Sequence, residues 1–156
     1  MRIAPYIAAV GVGVSLGIAV APQTGQQTPD KLTVPTLRNM VEGLGYEVKM
    51  AEKGDSFSTT ITTGGFTIPV SYQITKSTNY IWLTTSLGPN KPNHNHEALL
   101  KENSNVQPTF FYITDQNDLY AAQAIDNREV TPAILKRCVE KFTGDVAKTS
   151  KVWKVE

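Results

Sequence analysis

Two histidines and a glutamate stand close together in the segment 93–97, which we call the histidine loop: His94, His96 and Glu97. Imidazole nitrogens and carboxylate oxygens are common zinc ligands, so these side chains could form part of a metal site. A stable site needs three or four ligands with outer partners, and no neighbouring residue clearly adds them. The sequence favours a solvated loop in which Asn95 caps the next helix, and it predicts neither a metal nor a cofactor.

Other reactive residue types lack the partners that their chemistry needs. Cys138 is the single cysteine; it falls on the apolar side of a predicted helix, whereas a catalytic thiolate would want an adjacent base. Asp115 and Asp118 lie at a predicted hairpin tip, a poor place for a carboxylate pair across a sugar. No G-x-S-x-G or G-x-x-x-x-G-K motif occurs. We therefore predict no enzymatic activity; the alternative is a small hydrolase or metal-dependent enzyme that uses the histidine loop, with Asp115.

The densest polar cluster is Asp126-Asn127-Arg128-Glu129, between a predicted strand and a predicted helix. In one interpretation it is a recognition site in which Arg128 binds a carboxylate of a partner. In the other it is a turn, where Asp126 or Asn127 satisfies backbone amides and Arg128 pairs locally. The structural interpretation is favoured, and Arg128 remains a candidate contact residue.

Three segments have the apolar spacing of helices that bury one side. The first, over 35–44, repeats apolar residues at i, i+3, i+4 and i+7 from Leu37 to Leu44. A short helix is predicted at 96–103, with Leu99 and Leu100 on its inner side. The last runs from Pro132 to about residue 148, with Thr131 as N-cap and the proline in the first turn. Trp153 follows it and is expected to pack back on the body rather than serve as an exposed contact.

Between the first two helices the apolar period changes to two. Apolar residues from Phe66 to Ile74 alternate with polar ones, which indicates a strand with one buried face. Gly64-Gly65 joins it to a strand at 57–62, and further strands are indicated at 46–50, 80–87, 109–114 and 119–124. Pro69 lacks an amide donor, so its strand should lie at an edge or carry a bulge there.

The order of elements is therefore α-β-β-β-α-β-β-α. It predicts an α+β fold in which helices pack on an antiparallel sheet of about five strands. A neutral body supports no polyanion partner: without Arg2, the 15 basic residues fall to 14, equal to the 14 acidic ones. We therefore predict no nucleic-acid binding.

The N-terminus has the pattern of an export or membrane segment. Met1-Arg2 precedes the uncharged run Ile3–Ala21, which ends in the small-x-small pattern of a signal peptidase site. That run is also long enough to span a bilayer, and Pro22 is unfavourable directly after a cut. We predict a signal peptide or membrane anchor over 1–21, a linker over 22–32 and one domain over 33–156. The body would then be extracytoplasmic, periplasmic or secreted, with membrane contact only through an uncleaved N-terminal segment.

Seven short runs follow one another along residues 33–153. They are Leu44-Gly45-Tyr46-Glu47-Val48, Phe66–Val70, Leu99-Leu100…Asn103, Pro108-Thr109-Phe110-Phe111, Leu119-Tyr120, Ile125-Asp126-Asn127-Arg128 and Thr131-Pro132…Leu135. Together they resemble the YbjN-like proteins and the type III secretion chaperone-like fold that those proteins share. The resemblance implies a non-enzymatic binding domain, often dimeric, that holds a protein partner or an extended segment of one.

We therefore predict a non-enzymatic, chaperone-like or scaffolding domain that binds a protein or peptide segment. Binding would use a sheet face or an edge strand, and a homodimer would form through a helix face. Because only one face of each strand can be buried by the core, outward aromatic residues are the candidate contacts, together with Arg128: Tyr80 and Trp82, or Phe110 and Tyr112. A further alternative is a small-ligand sensor, which would have a closed apolar pocket between helix and sheet.

Overall fold

The structure is a computed structural model, and it describes residues 31–155. The predicted signal peptide or anchor over 1–21 and most of the predicted linker lie outside the described residues. None of the helices between residues 31 and 155 is both long enough and apolar enough to cross a bilayer.

Four helices and six strands make up the described chain. In order they are α1 (Val34–Gly43), β1 (Lys49–Met50), β2 (Ser56–Thr63), β3 (Phe66–Ile74), β4 (Tyr80–Pro89), α2 (His96–Asn105), β5 (Phe110–Ile113), β6 (Asp118–Asp126), α3 (Pro132–Lys148) and α4 (Ser150–Trp153). The strands form one sheet in the order β1-β2-β3-β4-β6-β5, and every neighbouring pair is antiparallel. The predicted α+β fold is confirmed; the sixth strand is β1, within the segment 46–50.

Side-chain caps fix where the helices begin. The Thr33 hydroxyl accepts a hydrogen bond from the Thr36 amide at the start of α1. Asn95 accepts from the Ala98 amide at 3.0 Å and so caps α2, as the sequence predicted. At α3, Thr131 caps and Pro132 occupies the first turn, again as predicted. These caps satisfy amides that would otherwise lack partners at a helix N-terminus.

The core lies between one face of the sheet and the helices. α3 lies against β2, β3 and β6, and α1 packs on α3. The strands contribute alternate residues to this layer, and Phe57 stacks on Tyr72 with ring centroids 4.9 Å apart. The largest fully buried side chains of the core include Leu37, Val41, Val70, Tyr72, Ile81, Leu83, Leu119, Leu135 and Phe142. The other face of the sheet, which we call the open face, carries the alternate set of strand residues.

Pro69 marks a local edge inside the sheet. It lies opposite Thr60 of β2, but β3 pairs with β4 only over residues 71–74, so Pro69 has no β4 partner. β3 is an interior strand without a bulge at Pro69, so the predicted edge strand or bulge is wrong as made; Pro69 lies instead beyond the end of the β3–β4 ladder, where no amide donor is needed. The missing amide donor therefore shapes the sheet at this point.

Candidate functional site

A row of aromatic rings crosses the open face. The ring centroids of Trp82 and Phe110 are 5.8 Å apart, those of Phe110 and Tyr112 are 5.9 Å apart, and those of Tyr112 and Tyr120 are 5.8 Å apart. These separations are those of interacting aromatic pairs. We call these four residues the aromatic row. It brings together three of the residues singled out from the sequence and adds Tyr120.

Strand register explains why these rings share a face. Tyr112 of β5 lies opposite Tyr120 of β6, and Phe110 lies opposite Ala122. Residues paired across neighbouring strands point to the same face, so the small Ala122 leaves room beside the larger rings. A groove of about 350 Å³ results, lined by Trp82, Phe110, Tyr112, Gln73, Thr84 and Ala122. None of these side chains is ionisable at neutral pH, so the groove suits apolar or neutral polar groups.

Tyr80 lies on the same face, at the end of β4 away from the row. It pairs with Asp126 of β6, and 47% of its surface is exposed. Trp82 separates it from the remaining rings along β4. Tyr80 therefore lies on the open face with the other predicted contact residues, but its ring does not pair with any ring of the aromatic row.

Arg128 is engaged with a neighbour at that end of the sheet. Its Nε donates to Asp126 Oδ1 at 2.8 Å, and its Nη2 also pairs with that carboxylate. The hydrogen bond and charge of Arg128 lower the pKa of Asp126 to about 2. Lys31, Asn79 and Tyr80 complete a polar pocket around this pair. The local pairing foreseen for this turn is present, and partner recognition by Arg128 stays a prediction.

Asn127 is fully buried and ties three segments together. Its Nδ2 donates to the carbonyls of Leu32 and Thr78 at 2.9 and 3.0 Å, and its Oδ1 accepts from the Leu32 amide at 3.1 Å. Side-chain amides that satisfy backbone groups in this way fix turns. Asn127 therefore holds the segment before α1 and the β3–β4 turn in place, so its role is structural.

The histidine loop does not form a reaction centre within residues 31–155. His94 is buried: its Nδ1 accepts from the Lys91 amide at 2.9 Å, and its Nε2 lies 3.0 Å from the Trp153 carbonyl. His96 Nε2 lies 2.8 Å from Asn90 Oδ1, which is also 3.2 Å from His94 Nδ1, and Glu97 pairs with Lys101 in solvent. No group of three or more metal-binding side chains gathers anywhere in that range. The predicted solvated loop is therefore wrong for His94, whose partner lies 59 positions away on α4.

Cys138 is half-buried beside the core, in keeping with its predicted place on the apolar side of α3. Burial raises the pKa of the thiol, which favours the unreactive neutral form at neutral pH. Asp115 lies in the exposed β5–β6 turn, and Asp118 begins β6 there. These residues do not converge with the histidine loop on a common pocket.

A second apolar surface lies between α2 and the edge strand β5. It is a groove of about 300 Å³ lined mainly by Leu99, Leu100, Phe111, Ile113 and Leu119. Leu100 is 69% exposed and Ile113 is 43% exposed, so both are large apolar side chains that the described core does not cover. The sequence analysis placed Leu100 on the inner side of its helix, and the structure corrects this.

Comparisons with known proteins identify the fold. No protein-family model matches the chain, and no curated protein matches it in sequence. YbjN of E. coli, described as a candidate transcription regulator, superposes with a TM-score of 0.59 at 14% identity, over 79% of this chain and 94% of that one. A chain of the HopA1–SchA chaperone–effector complex gives 0.52 at 13% identity, over 75% and 89%. SycH, a type III secretion chaperone of Yersinia pestis, solved with a fragment of YscM2, gives 0.49 at 14%, over 72% and 94%.

The likeness to YbjN covers 79% of this chain, and the likeness to the HopA1–SchA chain covers 75%. At such low identities it shows a shared fold and nothing about a shared partner. The chain therefore has the YbjN-like, secretion-chaperone-like fold that its sequence resembles.

Proposed function

We propose that this chain is a non-enzymatic, chaperone-like protein whose aromatic row binds a segment of a protein partner. The observation that carries the proposal is the row itself: four contiguous rings on a sheet face that no described helix covers. Aromatic residues dominate the binding energy of protein interfaces because they bury large areas at little entropic cost. The fold supports this function, since the HopA1–SchA complex is described as a chaperone–effector complex.

The geometry favours binding over hydrolysis. His94 and His96 share the Asn90 side chain as a neighbour, but Glu97 pairs with Lys101 in solvent, and within residues 31–155 no third metal-binding side chain joins the two histidines. The sensor alternative needs a closed apolar pocket between helix and sheet. The α2–β5 groove is open to solvent along exposed side chains such as Leu100, which suits a protein surface better than a small ligand.

We further infer a homodimer through the α2–β5 groove. β5 is a short strand at the end of the sheet, and the Asn103 side chain already pairs with the outward amide and carbonyl of Phe111. A second copy would therefore pack on the exposed apolar side chains Leu100 and Ile113 rather than add a strand to β5. Light scattering on the full chain tests this: a dimer mass that becomes a monomer mass in Leu100→Glu supports it. A monomer mass for the unmodified chain at 100 μM or so contradicts it.

We also propose an extracytoplasmic body, exported or tethered by residues 3–21. The support is the N-terminal sequence pattern, which lies outside the described residues. Mass spectrometry of the protein from fractionated cells tests the proposal. A mature chain that begins at Pro22, or a full-length chain in the membrane fraction, supports it; a full-length chain in the soluble cytoplasm contradicts it.

Peptide selection tests binding at the aromatic row. Random 12-residue peptides are selected on the immobilised full chain, and the selected peptides are titrated against variants. Phe110→Ser removes the central ring of the row and should weaken binding about tenfold or more. Thr62→Ser, an exposed change on the same face in β2, is the matched control and should leave affinity unchanged. A selection in which Phe110→Ser weakens none of the peptides, or one that yields no binder, would overturn the proposal.

A further inference from the structure

The sheet opens between β3 and β4 at one end. β2 pairs with β3 from Phe66 to Gln73 without interruption, and β4 continues beside β6 as far as Pro89. β3 and β4, by contrast, pair only between residues 71–74 and 81–84. Residues 66–70 and 85–89 therefore face each other without a ladder, and we call this gap the β3–β4 opening.

Pro69 accounts for the gap. The Thr75 amide donates to the Tyr80 carbonyl at 2.9 Å, so this is a hydrogen-bonded pair. Backbone groups alternate between the two neighbours of a strand, so every second residue of β3 before Thr75 also points toward β4. Continued register would place Pro69 opposite Ser86. Proline has no amide to donate to the Ser86 carbonyl, and the ladder ends one hydrogen-bonded pair earlier.

The opening leads into a small uncharged cavity. It has a volume of about 130 Å³, and its lining includes Phe66, Ile68, Leu87, Val146 and Trp153. Trp153 tilts against Phe66 there, with ring centroids 5.5 Å apart. Because nothing in this lining is ionisable at neutral pH, the cavity favours an uncharged occupant.

Thr85 adds an unsatisfied polar atom to the same cavity. The residue is 3% exposed, and its hydroxyl is the one buried side-chain oxygen or nitrogen within residues 31–155 that has no hydrogen-bond partner. Buried hydroxyls are normally paired, so an orphan needs an explanation. The main chain of β4 at Ser86 has no β3 partner, and the Thr85 hydroxyl beside it has no hydrogen-bond partner. Both could be satisfied by the amide and carbonyl groups of a bound peptide main chain.

We propose that the β3–β4 opening binds one extended, uncharged segment of a protein partner, which enters as an added strand. This rests on the proposed function, protein-segment binding, and assigns it a second location. A main-chain amide of the segment supplies the donor that Pro69 lacks, and a main-chain or hydroxyl oxygen accepts from Thr85. Cavities of roughly 150 Å³ accept benzene, so the space here suits one aliphatic side chain. Strand addition of this kind takes its affinity from main-chain hydrogen bonds and its specificity from such pockets.

Restoring the missing amide tests the proposal. In Pro69→Val the strand regains a donor for Ser86, so β3 and β4 should pair further and close the opening. Ser71→Val is the matched control, because it adds the same side chain on the same exposed side of β3, lies outside the opening and changes no backbone donor. The probes are the selected 12-residue peptides, and the readouts are their affinities for the full chain and hydrogen exchange at the Ser86 amide.

We expect a class of peptides that slows exchange at Ser86. They should bind Pro69→Val about tenfold more weakly, and their affinity for Ser71→Val should be unchanged. Should Pro69→Val fold poorly by circular dichroism, Thr85→Val serves instead, with a loss of about threefold or more expected. Binding at Ser86 that neither variant weakens would overturn the proposal, as would Ser86 protection by a second copy of the chain alone. Peptides lost in Phe110→Ser but not in Pro69→Val would overturn the opening and leave the aromatic row standing; a selection without binders overturns both.

Discussion

Gly64 lies directly against Ala147: a Cβ atom built on Gly64 would stand 2.9 Å from the Ala147 Cβ. Gly64 opens the β2–β3 turn, and Ala147 lies in the last turn of α3. This contact brings the hairpin tip onto the helix, on the same side of the molecule as the β3–β4 opening. The hairpin tip therefore packs on the C-terminal end of α3.

Gly64→Ala should destabilise the fold by about 2–4 kcal/mol. The backbone at Gly64 has a φ of 56°, which strains any side chain, and the added methyl group overpacks against Ala147. Gly65→Ala is the control, since Gly65 also has a positive φ, 79°, but has no atom near the added Cβ. It should cost only about 1–2 kcal/mol. Urea denaturation of both variants measures the difference, and equal losses would contradict a role for the Ala147 contact.

Asn127→Ala should cost about 2–4 kcal/mol of unfolding free energy. The change leaves backbone groups of Leu32 and Thr78 without their partner at a buried position. Asn105→Ala removes an exposed asparagine with one long bond to Glu102 and should change stability by under about 0.5 kcal/mol. Thermal unfolding of the pair decides the matter. Similar melting temperatures for the two variants would show that Asn127 does not hold the segment before α1 in place.

Thr85→Val should stabilise the unliganded protein by about 1 kcal/mol, because it replaces an unpaired buried hydroxyl with a methyl group. Thr59→Val is a demanding control. Thr59 is as buried as Thr85, but its hydroxyl lies 3.2 Å from the Tyr72 hydroxyl, so its loss should destabilise. Relative to the unmodified chain, the denaturation midpoint should rise in Thr85→Val and fall in Thr59→Val. A loss of stability in Thr85→Val would mean that its hydroxyl has a partner.

Stability should fall steeply as pH rises from 10 to 12. Burial raises the pKa of Tyr72 to about 12, whereas an unfolded tyrosine titrates near 10. The folded state keeps the proton longer, so this contribution is present below pH 10 and is lost as pH rises through 12. Its size is roughly 2 to 3 kcal/mol at most. Denaturation curves from pH 9 to 12 measure it, and Tyr72→Phe should flatten the decline; an unchanged slope in that variant would contradict the assignment.

Local sequence patterns were sufficient to predict most of the helices and strands. Thr33, Asn95 and Thr131 each have the side-chain oxygen of an N-cap, so the helix starts could be read directly from the chain. Strict alternation from Phe66 to Ile74 likewise identified β3 and its buried face. The Trp153 prediction is also confirmed, since its ring contacts Phe66 and its Nε1 donates to the Val146 carbonyl.

The features that the sequence did not predict depend on strand register and on contacts between residues far apart in the chain. Tyr120 was missed because its place beside Tyr112 depends on how β5 and β6 align, which alternation within one strand does not fix. His94 was assigned to solvent because its partner is the Trp153 carbonyl, far along the chain. The β3–β4 opening needed both the length of the ladder and the hydrogen-bonding side of Pro69, and the sequence offered only the proline.

The two tryptophans of this chain occupy unlike surroundings. Trp153 rests against Phe66 and the end of α3, while Trp82 stands beside Phe110 on the open face. Their fluorescence emission spectra should therefore differ, with Trp82 reporting on the aromatic row and Trp153 on the β3–β4 opening. With Trp153 replaced by phenylalanine, the remaining indole would signal occupancy of the aromatic row without any attached dye.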